Sequence, residues 1–393
     1  MPNRAEILKQ QFNQSIGLPW LKILPASRIE EILVEENIQY RNCVYTPIVT
    51  LWALMSQVID PDKSLSNAVK RIITWVGAAG GESPSPDTGG YSKARQRLSE
   101  SVLERLIPDT AESLEQTIAS TEQWCGHRVR VYDGTTVLMS DTAANQADYP
   151  QHSNQKPGCG FPIAKLVVVF SLMTGAVVAA CVSCFKTSEL ELSRLLYADL
   201  APGDVALGDR AYGTFTDLAL VQAQGADGVF RKHQARHTDF RRGKKLGIGD
   251  HAVRWQKPSK SPQPMSEEEF ARLPEFLEVR EVSILIRRPG FRDLRLIIVT
   301  TLLDAKRYSA KHLGQLYGLR WQAAEVNLRH LKTTLGMEML SAKTPQMVRK
   351  DLWAHLLAYN LLRTVMLQTA RSSQQDLSRL SLQGTRQQFL QTI

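Results

Sequence analysis

The sequence has no uninterrupted apolar run near the roughly 20 residues that a membrane span requires. Its longest, VVVFSLMTGAVVAACV, is broken by Ser171 and by the turn-forming pair Thr174-Gly175. The beginning, MPNRAEILKQQ, lacks the apolar centre of a signal peptide, which predicts a cytoplasmic chain. Cysteine is scarce as well: Cys43, Cys125, Cys159, Cys181 and Cys184 are an odd five in 393 residues and argue against a disulfide framework. The CVSC pair has neither a second CxxC nor paired histidines, and strand alternation sets its thiols on opposite faces. It reads as buried structural cysteine rather than a zinc or redox site. No internal repeat is evident.

What the chain does have is ordinary core material, 43% hydrophobic residues, and length for two or three domains. Its formal net charge of +9 is unevenly spread. Residues 1–120 carry 12 basic and 14 acidic side chains and 121–225 carry 7 and 10, whereas 226–310 carry 18 and 11 and 311–393 carry 11 and 4. Densest is 231–260, with ten Lys or Arg against Asp239 and Asp250. Arg241, Arg242, Lys244 and Lys245 at its centre predict a surface for a polyanion, held by phosphate contacts that weaken steeply with salt. The acidic balance of 121–225 fits a metal-binding core.

From about Glu6 to Ile118 apolar residues recur at three- and four-residue spacing, as in YTPIVTLWALMSQVID and YSKARQRLSESVLERLI, which predicts a helical N-terminal domain over 1–120. Its breaker-rich segment GGESPSPDTGG (Gly80 to Gly90) reads as a mobile loop. From about Arg128 the pattern turns strand-like: RVRVYDG, AKLVVVFSLMTG and AVVAACVSCF form an antiparallel set, followed by a helix through SELELSRLLYADL, a strand DVALGD, a helix DLALVQAQ and a strand ADGVFRK. This defines a first part of an α/β core over 121–232. Next, VREVSILIRR, Pro289-Gly290 and DLRLIIVTTLL read as a hairpin, so 233–308 is predicted to be a basic, all-β insertion. The last segment, 309–393, is helical, and MVRKDLWAHLLAYNLLRTVMLQ is amphipathic enough to be packing rather than chemistry.

Three acidic residues stand out. Asp133 (VYDGTT) and Asp209 (GDRAYG), 76 positions apart, each close a short apolar run, and Glu325 lies in a helical stretch free of Pro. Carboxylates gathered in one place repel and shift towards protonation unless a divalent cation is bound. Mg²⁺, which takes a few carboxylate oxygens and keeps several waters, suits such a cluster and phosphate chemistry. Glu338 is a competing acid, but 13 residues on it falls about 220° around the helix from Glu325. Asp141, Thr142 and Asn145 read as local hydrogen bonders that shape a loop. Trp255 and Trp321 read equally as core or as platforms for an unpaired base.

Tyr317, Arg320, Glu325 and Lys332 resemble the Tyr-Arg-Glu-Lys signature of bacterial insertion-sequence transposases of the DDE type, the insertion sequence four family. DGTTVLMSDTAANQADYP, NQKPGCGFP and LKTTLGME are further matches, in the family's order, between about Arg128 and Arg363. The resemblance implies a ribonuclease H-like mixed-sheet core in which Asp133, Asp209 and Glu325 hold two Mg²⁺ ions, with Mn²⁺ as a substitute, and in which Tyr317, Arg320, Trp321 and Lys332 meet DNA. It further implies cleavage of an element's terminal inverted repeats and joining to target DNA, by a homodimer in the DNA complex, associated with the nucleoid and not with membrane. The N-terminal region would bind the repeats, with Tyr91, Lys93, Arg95 and Arg97 near phosphates. A catalytically silent end-binding repressor and a stand-alone nuclease are the alternatives.

One departure from the family has a geometric consequence. Trp321, Gln322, Ala323 and Ala324 put four residues between Arg320 and Glu325 where the family has three. At 100° per residue, the extra one turns Glu325 and Lys332 away from Tyr317 and Arg320. A π turn or a break between Arg320 and Glu325 would realign them.

Overall fold

In the computed structural model, which describes residues 24–41, 43–78, 80–233, 236–286 and 293–392, five helices precede the first strand. They are α1 (Ala26–Glu35), α2 (Pro47–Ile59), α3 (Leu65–Ala78), α4 (Gly89–Arg97) and α5 (Glu100–Glu115). The expected helix start near Glu6 lies outside the described residues. Thr46 caps α2 with Pro47 at its first position, a placement that costs no hydrogen bond.

The strand-like runs then build one mixed sheet. β1 (Val129–Met139) pairs antiparallel with β2 (Ile163–Ser171), which pairs antiparallel with β3 (Val177–Cys184). On its other side β1 lies parallel to β4 (Val205–Gly208), and β4 parallel to β5 (Asp227–Arg231). The helix α6 (Ala143–Asp148) follows β1, and α7 (Glu189–Leu196) and α8 (Phe215–Ala223) make the crossovers, capped by Thr142, Ser188 and Thr214. The run VVVF is apolar throughout because both its faces are covered: Leu166, Val168 and Phe170 face one layer, Val167 and Val169 the other. Cys181 and Cys184 contact opposite layers as alternation requires, but they are half-buried rather than buried, since β3 is the sheet's edge strand.

The segment expected as an all-β insertion is neither separate nor wholly β. β5 pairs antiparallel with β9 (Leu294–Thr300), and the ladder runs on through β8 (Phe276–Ile286) and β7 (Asp250–Gln256) to β6 (Lys244–Gly247). A short helix α9 (Glu267–Ala271) interrupts it, started by a Ser266–Glu269 capping box. The Pro289-Gly290 turn expected between β8 and β9 lies outside the described residues, although the strands themselves pair from Ile286↔Leu294 to Arg280↔Thr300. Trp255 is core: it is buried, with its ring N–H donating to Glu281 at 2.9 Å.

After the sheet come α10 (Ala310–Arg329), the two-residue strand β10 (Met339–Leu340) beside the end of β1, α11 (Pro345–Ser372) and α12 (Leu382–Thr392). α11 is the packing element its pattern predicted. Asn360 exchanges hydrogen bonds with both backbone groups of Val177, and Arg363 donates to the Thr174 carbonyl at 2.8 Å. On its other flank Arg349 and Trp353 meet Glu100, Arg95 meets Asp351 at 2.6 Å, and Lys350 donates to the Gln96 carbonyl. Helices α1, α2 and α5 therefore share one apolar core with the sheet, while α3 and α4 pack with Val49 and Ala53 of α2 in a smaller cluster. Two residues expected near DNA are used up in this packing. Tyr91 is fully buried and donates to Gln57, and Arg95 is paired with Asp351, so only Lys93 and Arg97 of that set remain exposed. No described helix is long and apolar enough to cross a membrane.

Candidate active site

The ladder between β1 and β4 ends at Val131↔Leu207, and β1 gains no further neighbour on that side until Leu138 meets β10. A crevice opens there, at the carboxyl end of β4, where parallel strands commonly hold ligands. Asp133 lies on β1 at the start of this gap and Asp209 directly follows β4. Odd-numbered residues of β1 face the layer that contains α10, since Val131 and Val137 pack there and Tyr132 packs on the opposite side.

Burial pushes the Asp133 carboxyl up to about 6; the charges of Glu189 and Asp209 add to the rise, and the Arg320 guanidinium and a hydrogen bond from the Gly134 backbone oppose it. Asp209 accepts a hydrogen bond from the Ala211 N–H at 2.6 Å, which fixes the loop after β4. Tyr317 is buried, within electrostatic reach of Asp209 and of Arg231 at the end of β5. The Arg320 guanidinium lies 5.3 Å from the Tyr317 ring centroid, and its buried Nε has no hydrogen-bond partner. Two carboxylates, a tyrosine and an arginine of the signature thus converge on one crevice.

Glu325 does not join them. α10 is uninterrupted from Ala310 to Arg329, so the expected irregularity between Arg320 and Glu325 is absent; the π turn lies further on, at His330–Thr334, closed by Leu335 N–H to the His330 carbonyl at 2.9 Å. Packing explains the location. The small Ala324, one turn after Arg320, is fully buried against the core, which favours a regular helix there. The extra residue is absorbed where the chain leaves α10 for the turn at Gly336, whose φ is +66°. Glu325, 100° further round than Ala324, is exposed and lines a shallow cleft of about 450 Å³ with Trp321, Arg329 and Lys332. Trp321 is 44% exposed and Lys332 stands 4.0 Å from Glu338. Among the described residues no three His, Cys, Asp or Glu side chains stand close enough to hold a metal ion.

The basic cluster is on the sheet's far edge. Lys244 and Lys245 are exposed on β6, and Arg241 and Arg242 project just before it, 90% and 84% exposed, beside the single acid Asp239. Asp141, Thr142 and Asn145 shape their loop as expected and also tie it to the chain before α11: Asn145 donates to the Ser140 and Ala342 carbonyls, and Thr142 to that of Lys343.

Sequence reasoning passed over Glu189, Tyr212 and Arg231. Glu189 begins α7, where an acid reads as a partner of the helix dipole. The overlooked signal is Gly134: a glycine inside a strand marks a close approach, and here the Glu189 carboxylate fills the space a Cβ would take.

The transposase DDE domain family model matches residues 124–361. Transposase InsG for insertion sequence element IS4 of Escherichia coli (strain K12) is 27% identical over 328 residues, covering 81% of this chain and 70% of that protein. The piggyBac transposase synaptic complex with hairpin DNA aligns with 96% of this chain and 80% of that one at a TM-score of 0.48 and 9% identity, too slight a likeness to carry an argument.

Proposed function

Because the chain belongs to the transposase DDE domain family and is a DNA transposase, an enzyme that cuts and transfers DNA, we propose that its chemistry takes place in the crevice between Asp133 and Asp209. The family implies dependence on a divalent metal. The oxygen-only donor set fits Mg²⁺, and the burial that raises the Asp133 carboxyl to about 6, with the Glu189 and Asp209 charges adding to it, is a cost that a bound cation would offset. Two such ions, when bound, supply Lewis-acid activation of the attacking oxygen and stabilisation of the leaving one.

The protein's own part is placement. Asp133 and Asp209 offer their carboxylates across the gap in the β1–β4 ladder, and Tyr317 and Arg320 close the crevice from α10, the guanidinium facing a phosphate that approaches the acids. The order β3-β2-β1-β4-β5, with β2 and β3 antiparallel and β4 and β5 parallel to β1, supports a ribonuclease H-like core. Arg241, Arg242, Lys244 and Lys245 hold duplex DNA by its phosphates, Trp321 and Lys332 meet it from α10, and Glu325 joins the two acids only when α10 moves its π turn to the stretch after Arg320. The substrate is the terminal inverted repeat of an insertion sequence, joined to target DNA by a homodimer at the nucleoid.

The observation that carries this reading is the pairing of Asp133 and Asp209 across an open ladder. Asp133→Ala and Asp209→Ala each abolish Mg²⁺-dependent nicking of end-bearing DNA while gel-shift binding persists. Substantial nicking by purified Asp133→Ala protein would refute it.

A further inference from the structure

We propose that Glu189 is a further catalytic carboxylate, supplying an oxygen to the divalent cation held by Asp133; this rests on the placement of that cation at Asp133 and Asp209. Two independent features converge on it. Gly134, immediately after Asp133, leaves a space in which a Cβ would meet the Glu189 carboxyl carbon at 2.4 Å and its oxygens at 2.6 and 2.8 Å. The carboxylate is thus laid against β1, in the stretch where that strand has no β4 partner. Tyr212, from the same motif as Asp209, donates its hydroxyl to one Glu189 oxygen at 2.6 Å, and among the described residues the other oxygen accepts no hydrogen bond.

The alternative for Glu189 is structural: an acid in the first turn of α7 that complements the helix dipole and anchors Tyr212. That role needs no glycine at 134 and no proximity to Asp133. It also leaves the site with Asp133 and Asp209 alone, since Ala324 occupies the inward position of α10 and Glu325 faces out. Glu189 approaches from the opposite layer of the sheet, by way of the open ladder. Like charges hold the carboxylates apart, and a cation removes that repulsion, after which the long Glu189 side chain has only to turn about its own torsions.

The test is Mn²⁺ binding by the full chain, read from the free-ion signal in electron paramagnetic resonance, which needs no DNA and no turnover. Glu189→Gln weakens Mn²⁺ binding by roughly tenfold or more, the range in which removal of a metal-supporting group falls; Glu189→Asp recovers part of it, and Glu191→Gln, two residues along the same helix, leaves it unchanged. Tyr212→Phe removes the anchor but keeps the carboxylate, and so loses less than Glu189→Gln; equal losses would make Glu189 a mere support for Tyr212 and overturn the proposal. Wild-type Mn²⁺ binding in Glu189→Gln alongside its loss in Asp133→Asn would also overturn it. Wild-type binding in Asp133→Asn would instead refute the placement of the cation itself. Thermal melts followed by circular dichroism establish that each variant is folded.

Discussion

Deleting Ala323 puts Glu325 four residues after Arg320 and turns it onto the face that Arg320 presents to Asp133. In the parent chain a side-chain tip on α10 lies about 5.5 Å from the helix axis, so a 100° rotation separates the inward and outward carboxylate positions by roughly 8 Å. Mg²⁺ ligands must come within about 2.1 Å of the ion, so side-chain flexibility alone does not close that gap. The parent can bring Glu325 inward only by moving its π turn from His330–Thr334 to the stretch after Arg320, which takes the fully buried Ala324 out of its packing and re-forms helical hydrogen bonds in a poorer geometry. Those changes together cost about 1–3 kcal/mol, which reduces the competent population roughly 5- to 150-fold. The deletion removes that cost and lets the π turn revert to ordinary helix. Single-turnover nicking of end-bearing DNA in Mg²⁺ is therefore expected to rise by about tenfold or more, and insertion of one further Ala to lower it. A folded, end-binding deletion variant that nicks no faster than its parent, when Glu325→Ala abolishes nicking in that parent, would mean that Glu325 acts from the outer flank of α10.

Two further outcomes follow from charge. Replacing Arg241, Arg242, Lys244 and Lys245 with Ala lowers the slope of log affinity against log salt on duplex DNA by up to about 0.9 per lost contact, somewhat less for the arginines because Asp239 already neutralises part of their charge; an unchanged slope would take the β6 edge off the DNA. For Asp133, a carboxyl raised from 3.8 to about 6 by burial makes ionisation costly in the folded state, a penalty absent below about pH 4 and complete above about pH 6. Mg²⁺ offsets that penalty, so the Mg²⁺-induced rise in melting temperature grows between about pH 5 and pH 7, and Asp133→Asn removes the pH dependence; an equal Mg²⁺ effect at both pH values would dissociate the cation from Asp133.

The strands were readable because burial on both faces writes itself as continuous apolar runs such as VVVF, and the crossover helices because they alternate with those runs. The positions of Asp133 and Asp209 after apolar strand residues were readable for the same reason, although β1 runs on to Met139 and only Asp209 stands at a strand end. The orientation of Glu325 was not, because it depends on where the helix absorbs its extra residue, and that is decided by the burial of Ala324 and the turn at Gly336 rather than by local preference. Nor was the fate of Tyr91 and Arg95, since the partner of Arg95 is Asp351, more than 250 positions away. The insertion misled for a related reason: VREVSILIRR and DLRLIIVTTLL announce a hairpin, but nothing within them announces that the second strand also pairs with β5.

That pairing governs how the chain can be made. Val229 of β5 meets Thr300 of β9, so while a nascent chain is being synthesised the strand next to the Asp209 segment has a bare edge until residues near 300 have left the ribosome. An unpaired, apolar edge of this kind is a template for adding a strand from another molecule. Premature stops within 233–293 therefore yield products that aggregate rather than compact fragments able to occupy DNA. Shortened copies of such a gene would lose not just their basic edge but the closure of the sheet itself.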